Sequence, residues 1–446
     1  MNATLLRCSL IAALGGLLFG FDTAVISGTT EHLKEVFDLG GFWLGFTVSS
    51  ALIGTIMGAM FASIPADWLG RRTTLVWIAF LYFVSAVGSA LAWDWPSFLL
   101  FRWLGGLGVG ASSVVAPMYI AEISPPQFRG RLVAITQFNI VFGILAAYMS
   151  NYGVALADLG QDEWRVMFGI EALPAAVFFA LMFLNPRSPR WLVARGRSAE
   201  AAAVLEKVGA ADVRKELREI EESLAAMGAR AVESVFQRKY RRPVLLAVAI
   251  STFNQLSGIN ALMYYAPHIF RMAGAETDAS LAQAVVVGCT NLVFTMTAML
   301  VIDKIGRRKI MVVGSIGYIV SLAATAAAFY TYGTDFTPFG GAVVLTSLMV
   351  FIASHAFGQG SVIWVYLSEI FPNAVRAQGQ ALGSFTHWVF AALISWTFPM
   401  IAEVSGGHTF AFYSSMMVLQ LVWVLKVMPE TKGVPLEELQ KRMTAD

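Results

Sequence analysis

The chain has 446 residues, of which 57% are hydrophobic and only 13% charged, with a net charge of +2. Soluble domains carry about a quarter charged residues, so this composition excludes an ordinary soluble globular protein and points to a polytopic membrane protein. The near-neutral balance gives no sign of a nucleic-acid partner or of a charged tail.

Windows of about 20 apolar residues, the length that crosses the hydrocarbon layer, predict twelve spanning helices. Six lie at 8–28, 43–64, 74–93, 97–120, 132–153 and 166–184. Six more lie at 243–271, 281–301, 310–331, 341–367, 378–401 and 408–428. The first has the position of a signal peptide. Its length, with no small-residue cleavage site followed by a soluble domain, reads it as a retained helix. The predicted organisation is an N-terminal six-helix half (1–186), a cytoplasmic helical linker (187–242) rich in Ala, Glu, Lys and Arg, a C-terminal six-helix half (243–428) and a cytoplasmic tail (429–446). Cys8 and Cys289 sit in apolar segments and read as small buried residues. The five histidines show no ligand spacing, so neither a metal nor a cofactor is expected.

With the N-terminus inside, the outer loops hold only Lys34, Arg165 and Arg271, and Arg102 opens the fourth span. The other 27 of 31 basic residues then collect on one face, which the positive-inside rule makes cytoplasmic. Both termini are expected there, and the even span count agrees.

The halves echo each other. "DWLGRR" (67–72) returns as "DKIGRRK" (303–309), and "EISPPQFR" (122–129) as "EIFPNAVR" (369–376). "NPRSPRWL" (185–192) is answered by "MPETKGVPLEE" (428–438). These blocks fall at the predicted cytoplasmic ends of helices 2–3, 4–5 and 6 and of helices 8–9, 10–11 and 12. Simple interfacial anchoring explains the arginines but not acids at matched spacing. The expectation is an inner-gate charge network of Asp67, Arg71, Glu122, Arg129 and Arg131 in one half and Asp303, Arg307, Glu369, Arg376 and Glu430 in the other. Such a network, broken as a unit, biases a two-state equilibrium. Two six-helix halves suit alternating access.

Two clusters of polar residues fall inside spans, where they are costly and usually functional. Asp22, in "LLFGFDTAVISG", is an acid in an apolar run, and Arg102 in "FRWLGGLGVG" is an available partner. Two readings stand: a structural acid satisfied by a neighbouring donor, or a proton carrier whose charge Arg102 stabilises. The seventh span carries Asn254, Gln255, Asn260, Tyr264 and Tyr265 in "FNQLSGINALMYY", with Gly258 permitting a bend. Amides donate and accept, as sugar hydroxyls require, and rings receive sugar C–H faces. Helix–helix glue is the competing reading.

The chain resembles the sugar-porter branch of the major facilitator superfamily, most of all its bacterial proton-coupled pentose and hexose symporters. The likeness covers nearly the whole chain and rests on "GGLLFGFDTAVISG", "PMYIAEISPPQFRG", "SPRWL", "NQLSGINALMYYAP", "WVYLSEIFPNAVR" and "PETKG". It implies an all-α membrane protein of twelve spans. It also implies uptake of a monosaccharide such as xylose or glucose with a proton, through a chain functional as a monomer in a bacterial inner membrane. In the resembling proton-coupled members the position of Asp22 is acidic; in facilitators it is typically an amide. The resemblance adds Gln137, Asn291, Trp364, His387 and Trp388 to the sugar contacts.

Four departures from the family pattern stand out. Asn254 precedes Gln255 where a glutamine pair is usual, and His387 stands where an amide is often found, bringing a group that titrates near neutral pH. Arg187 replaces an acid in "NPRSPRWL", and "GQGSVIW" lacks prolines, leaving Gly358 and Gly360 to supply bending. A passive facilitator and a sugar sensor remain the competing functions. No metal cluster, nucleotide loop or activated nucleophile points to an enzyme.

Overall fold

The computed structural model describes residues 2–228, 233–372 and 374–434. Residues 435–438 of the last repeated block, and most of the tail, lie outside them. The helices in chain order are α1 (Ala3–Val25), α2 (Thr30–Val36), α3 (Gly41–Phe61), α4 (Ser63–Trp68), α5 (Arg71–Ala90), α6 (Trp95–Ile123) and α7 (Pro126–Ala155). They continue with α8 (Glu163–Ile170), α9 (Ala172–Met182), α10 (Pro189–Ala194), α11 (Ser198–Lys207) and α12 (Val213–Gly228). Then follow α13 (Arg241–Leu256), α14 (Ile259–Met272), α15 (Thr277–Ile305), α16 (Arg307–Tyr332), α17 (Pro338–Phe357), α18 (Gln359–Glu369), α19 (Arg376–Val404) and α20 (Gly406–Lys426). Among the described residues there is no strand.

Twelve segments are long and apolar enough to cross a membrane, and each overlaps one of the twelve predicted spans. The chain is a multi-pass membrane protein. Segments begin earlier than hydropathy alone places them: the fifth starts at Gln127 rather than 132, because Arg129, Gly130 and Arg131 are helical although polar. Three segments are each built of two helices, α8 with α9, α13 with α14 and α17 with α18.

The outward faces are apolar. On α15, Val286, Val293 and Leu300 are exposed at seven-residue spacing, a stripe suited to lipid. Cys289 shares that face and is exposed, against the expectation that it is buried; Cys8 is buried as expected. The polar stretch after the sixth segment forms the short helices α10, α11 and α12, where Trp191, Leu192 and Ala201 make a small core of their own.

The chain divides into two compact units. The first comprises residues 1–23, 53–147 and 165–232. Its core gathers Leu18, Tyr82, Val115, Tyr119 and Phe178. There α3 and α6 approach closely over small residues: a Cβ on Gly54 would collide with the Trp103 backbone, and one on Gly58 with the Leu107 backbone. The second unit comprises residues 24–52, 148–164 and 233–446, with a core around Ile250, Met311, Val362, Tyr366 and Val424.

The bend expected at Gly258 is present. Gly258 separates α13 from α14 with φ +83°, the left-handed region glycine alone enters freely. A Cβ there would lie 2.6 Å from the Tyr413 ring. Gly258→Ala is therefore expected to cost at least about 1 kcal/mol from backbone strain alone. A lowered thermal midpoint in detergent, with reduced transport per folded molecule, checks it. The other expected bend is also present, at Gly358 between α17 and α18.

Candidate functional site

The first cluster lies in the first unit. Asp22 on α1 and Arg102 on α6 are 2% and 1% exposed. Arg102 Nη1 donates to Asp22 Oδ1 at 2.6 Å, and Nη2 donates to Oδ2 at 3.4 Å and to the Asp22 carbonyl at 3.3 Å. This fork is the geometry in which a guanidinium holds a carboxylate most firmly. The Phe168 ring faces the guanidinium at 5.2 Å. Gly105 makes room for it: a Cβ on Gly105 would sit 3.2 Å from Asp22 Oδ1 and collide with Ser85 Oγ.

Glu171 is a third buried charged group of this unit, beyond the two expected from the sequence. It is 1% exposed, and neither carboxyl oxygen has a hydrogen-bond partner among the described residues. It interacts electrostatically with both Asp22 and Arg102. Among the described residues Arg102 thus bonds Asp22 alone, and Glu171 lies within electrostatic reach of the pair without a hydrogen bond to either member. The signal that singled out Asp22, an acid inside a predicted span, was equally present in "FGIEALPAAV".

The second cluster lies in the second unit. Gln255 Nε2 donates to Asn254 Oδ1 at 2.9 Å and lies 3.2 Å from His387 Nε2. Its Oε1 accepts from Asn260 Nδ2 at 2.8 Å. The break at Gly258 lets these four side chains converge, because Asn260 begins a new helix rather than continuing α13. The His387 ring lies 5.0 Å from Trp364 and 4.9 Å from Trp388. Asn254 Nδ2 is buried without a hydrogen-bond partner among the described residues, so the network keeps donor capacity in reserve. Tyr264 is buried on α14, and Asn291 on α15 accepts from Thr295 Oγ1 at 3.4 Å. Gln137 is half-buried on α7, in the first unit.

The repeated charged blocks form two matching sets, one in each unit. In the first, Arg71 meets Asp67 at 2.9 Å and Glu122 at 3.0 Å, and Glu122 accepts from Ser188 Oγ. In the second, Arg307 meets Asp303 at 3.0 Å and Glu369 at 2.8 Å, and Glu369 accepts from Thr431 Oγ1 at 2.6 Å. The second arginine of each block binds helix-end carbonyls, Arg72 those of Met182 and Phe183, Arg308 those of Val424 and Leu425. Glu430 accepts from the backbone N–H groups of Arg307 at 3.0 Å and Arg308 at 3.1 Å, completing the start of α16. Arg187, at the corresponding place in the first unit, binds the Leu69 carbonyl instead.

Three arginines expected in these networks do not join the acids. Arg129 and Arg131 are exposed and make no ion pair among the described residues; Arg129 Nη2 reaches the Ser124 carbonyl at 3.5 Å. Arg376 lines a cavity of about 580 Å³ with Asp303, Arg307, Glu369 and Thr431, yet its Nε donates to the Phe371 carbonyl at 3.2 Å. The regular Glu-to-Arg spacing reflects each arginine closing its own turn, not a bridge between its ends.

Residues 8–443 match the family model described as "Sugar (and other) transporter". The chain belongs to this sugar transporter family. The transporter is 39% identical to the D-xylose-proton symporter of Escherichia coli (strain K12), over 97% of this chain and 94% of that one. It is 34% identical to the arabinose-proton symporter of Bacillus subtilis (strain 168), over 98% and 94%. Among solved structures it resembles the inward open conformation of the xylose transporter XylE from E. coli, with a TM-score of 0.87 at 38% identity over 98% of this chain and 99% of that one. Its fold is accordingly that of the major facilitator superfamily.

Proposed function

We propose that this transporter carries a monosaccharide into the cell together with a proton. The reading rests on one observation above all: a buried, forked Asp22–Arg102 ion pair in a chain of the sugar transporter family. Relatives named as proton symporters for xylose and arabinose support it. A proton arriving at Asp22 removes the charge that binds Arg102 and frees α1 from α6. Its release restores the pair. Glu171, within electrostatic reach of both groups, is the remaining buried acid that can take up negative charge once Asp22 is neutral.

Gln255, Asn254, Asn260 and His387 offer donors and acceptors to sugar hydroxyls, and Trp364 and Trp388 offer ring faces. Tyr264 and Asn291 complete the set proposed for sugar binding in the second unit, and Gln137 is the candidate sugar contact of the first. The two charge sets at Arg71 and Arg307 act as inner-gate latches, and residues 1–186 and 243–428 act as the two moving halves around the linker. The transporter works as a monomer in a bacterial inner membrane, with both termini cytoplasmic, and catalyses no chemical conversion.

The test is transport in vesicles containing the purified protein. Xylose or glucose added outside is expected to acidify the lumen, read by a trapped pH dye, and an imposed inside-alkaline gradient is expected to drive labelled sugar above its external concentration. Uptake that stops at equal concentrations and moves no protons would make the protein a passive facilitator.

A further inference from the structure

A third charged cluster, in the second unit, belongs to neither the proton pair nor the sugar site. Glu31 lies on α2, the short helix after the first span, and its Oε1 is 2.5 Å from His268 Nδ1 on α14. Glu31 Oε2 is 3.7 Å from Arg271 Nη1. On the same short helix, Lys34 Nζ meets Glu403 Oε1 of α19 at 3.0 Å, and His32 Nε2 lies 3.6 Å from Glu163 Oε2. The histidine and its acid are only partly shielded, at 19% and 28% exposure, so water and protons reach them.

The element that carries His268 is set off from α13 by breaks in its backbone. Gly258 breaks the backbone before α14, and Tyr265 (φ −125°, ψ 19°) kinks it again just before Pro267. Pro267 has no N–H for the Met263 carbonyl; that carbonyl accepts from Tyr148 Oη at 2.7 Å instead. The last turns of α14, with His268 and Arg271, therefore form a short lever beyond a hinge. Its contacts with α2 include the Glu31–His268 and Glu31–Arg271 pairs.

We infer that Glu31 and His268 form a pH-sensitive outer latch: a charged imidazole clasps α2 to the end of α14, and loss of that charge weakens the clasp to a neutral hydrogen bond. The inference rests on the carrier reading only in taking this end of the molecule to open during the cycle. An imidazole ordinarily carries its charge below about pH 6.5. Glu31 is held below the usual carboxylate range, first by its hydrogen bond with His268 and further by the charges of His268, Arg271 and Lys34, against the opposing effect of burial. It therefore stays ionised across the acid range in which the imidazole is charged. The clasp is strongest with the imidazole charged and weaker with it neutral, and it would also weaken below Glu31's lowered pKa.

The other groups facing the pair limit its strength. Arg271 and Lys34 retain part of the attraction for Glu31 when His268 is neutral, and the Tyr265 ring, 6.5 Å from His268, carries no charge. The pH-dependent part is thus a shift of about three- to tenfold in the latching equilibrium, the range of partly exposed ion pairs.

Ser27, 1% exposed in the turn that packs on α14, reports opening. In a full-length chain with both natural cysteines replaced by serine, Ser27→Cys is labelled from outside by an impermeant maleimide at pH 5.5 and 8.0, corrected for the reagent's own pH dependence. The same chain carrying Asp22→Asn removes any contribution from the proton site. Labelling is expected to rise three- to tenfold at the higher pH. His268→Gln should label fast at both values and His268→Arg slowly at both. The arginine variant, which keeps the clasp charged, separates loss of the latch from loss of folding. Equal labelling at the two pH values, or variants that keep the full pH response, would overturn the latch while leaving proton-coupled uptake untouched. Titrating labelling in a protein that moves no protons with sugar would do the reverse.

Discussion

Asp22→Asn is expected to abolish uphill sugar accumulation while leaving downhill exchange running. A proton falling through 100 mV supplies about 2.3 kcal/mol, enough for roughly fiftyfold accumulation at 1.4 kcal/mol per tenfold. The amide takes up almost the same space and can still accept from Arg102, but it neither carries a proton nor changes charge. The ratio of internal to external sugar should fall from that order to about one. Exchange of labelled against unlabelled sugar needs no net proton movement and should persist. Folding should survive as well, because the amide oxygen still accepts from Arg102 and Glu171 is left as a second buried acid within electrostatic reach of it. Removing both acids, in Asp22→Asn with Glu171→Gln, leaves a 1%-exposed guanidinium uncompensated. Losing one side of a buried pair costs about 3–5 kcal/mol, so this double variant should lose thermal stability where the single one does not. Accumulation at the unaltered ratio in Asp22→Asn would exclude Asp22 as the coupling group.

The contrast between these acids shows what the sequence made legible. Asp22 and Arg102 stood out because ionisable groups are rare in apolar runs, and their pairing followed from there being few candidates. Glu171 carries the same signal, an acid in an apolar run, but the sequence offers no second intramembrane cation beside Arg102 to pair with it. The twelve segments and the breaks at Gly258 and Gly358 were readable because hydropathy and glycine act locally. The outer latch was not readable: Glu31 and His268 lie 237 positions apart, and each alone looks like an ordinary loop-end charge. The inner sets were half readable. Repetition pointed to Arg71 and Arg307 with their acids, but it could not tell an arginine that bridges two helices from one that closes its own turn. Arg129 and Arg376 do the latter.

Gln255→Ala is expected to separate sugar binding from proton coupling in the opposite sense to Asp22→Asn. Gln255 is the hub of the amide cluster, touching Asn254, Asn260 and His387. Truncation removes the amide's N–H donors and its acceptor from the cluster proposed to bind sugar hydroxyls, and strands the Asn260 amide it had oriented. A hydrogen bond lost from a buried polar site costs about 1–3 kcal/mol, and a site built to pair hydroxyls discriminates strongly when that pairing fails. KM for the transported sugar should rise about tenfold to a hundredfold. The accumulation ratio at saturating sugar should stay that of the unaltered protein, since Asp22 and Arg102 are intact. Trp388→Ala should also raise KM, through loss of a ring face rather than a hydrogen bond, so a sugar lacking one hydroxyl should be penalised less by Gln255→Ala than by Trp388→Ala. The competing view is that the amides only hold α13 to α19. It predicts a fall in thermal stability with KM moved by less than about threefold, and equal effects on sugars that differ by one hydroxyl, because glue between helices is blind to what the transporter carries.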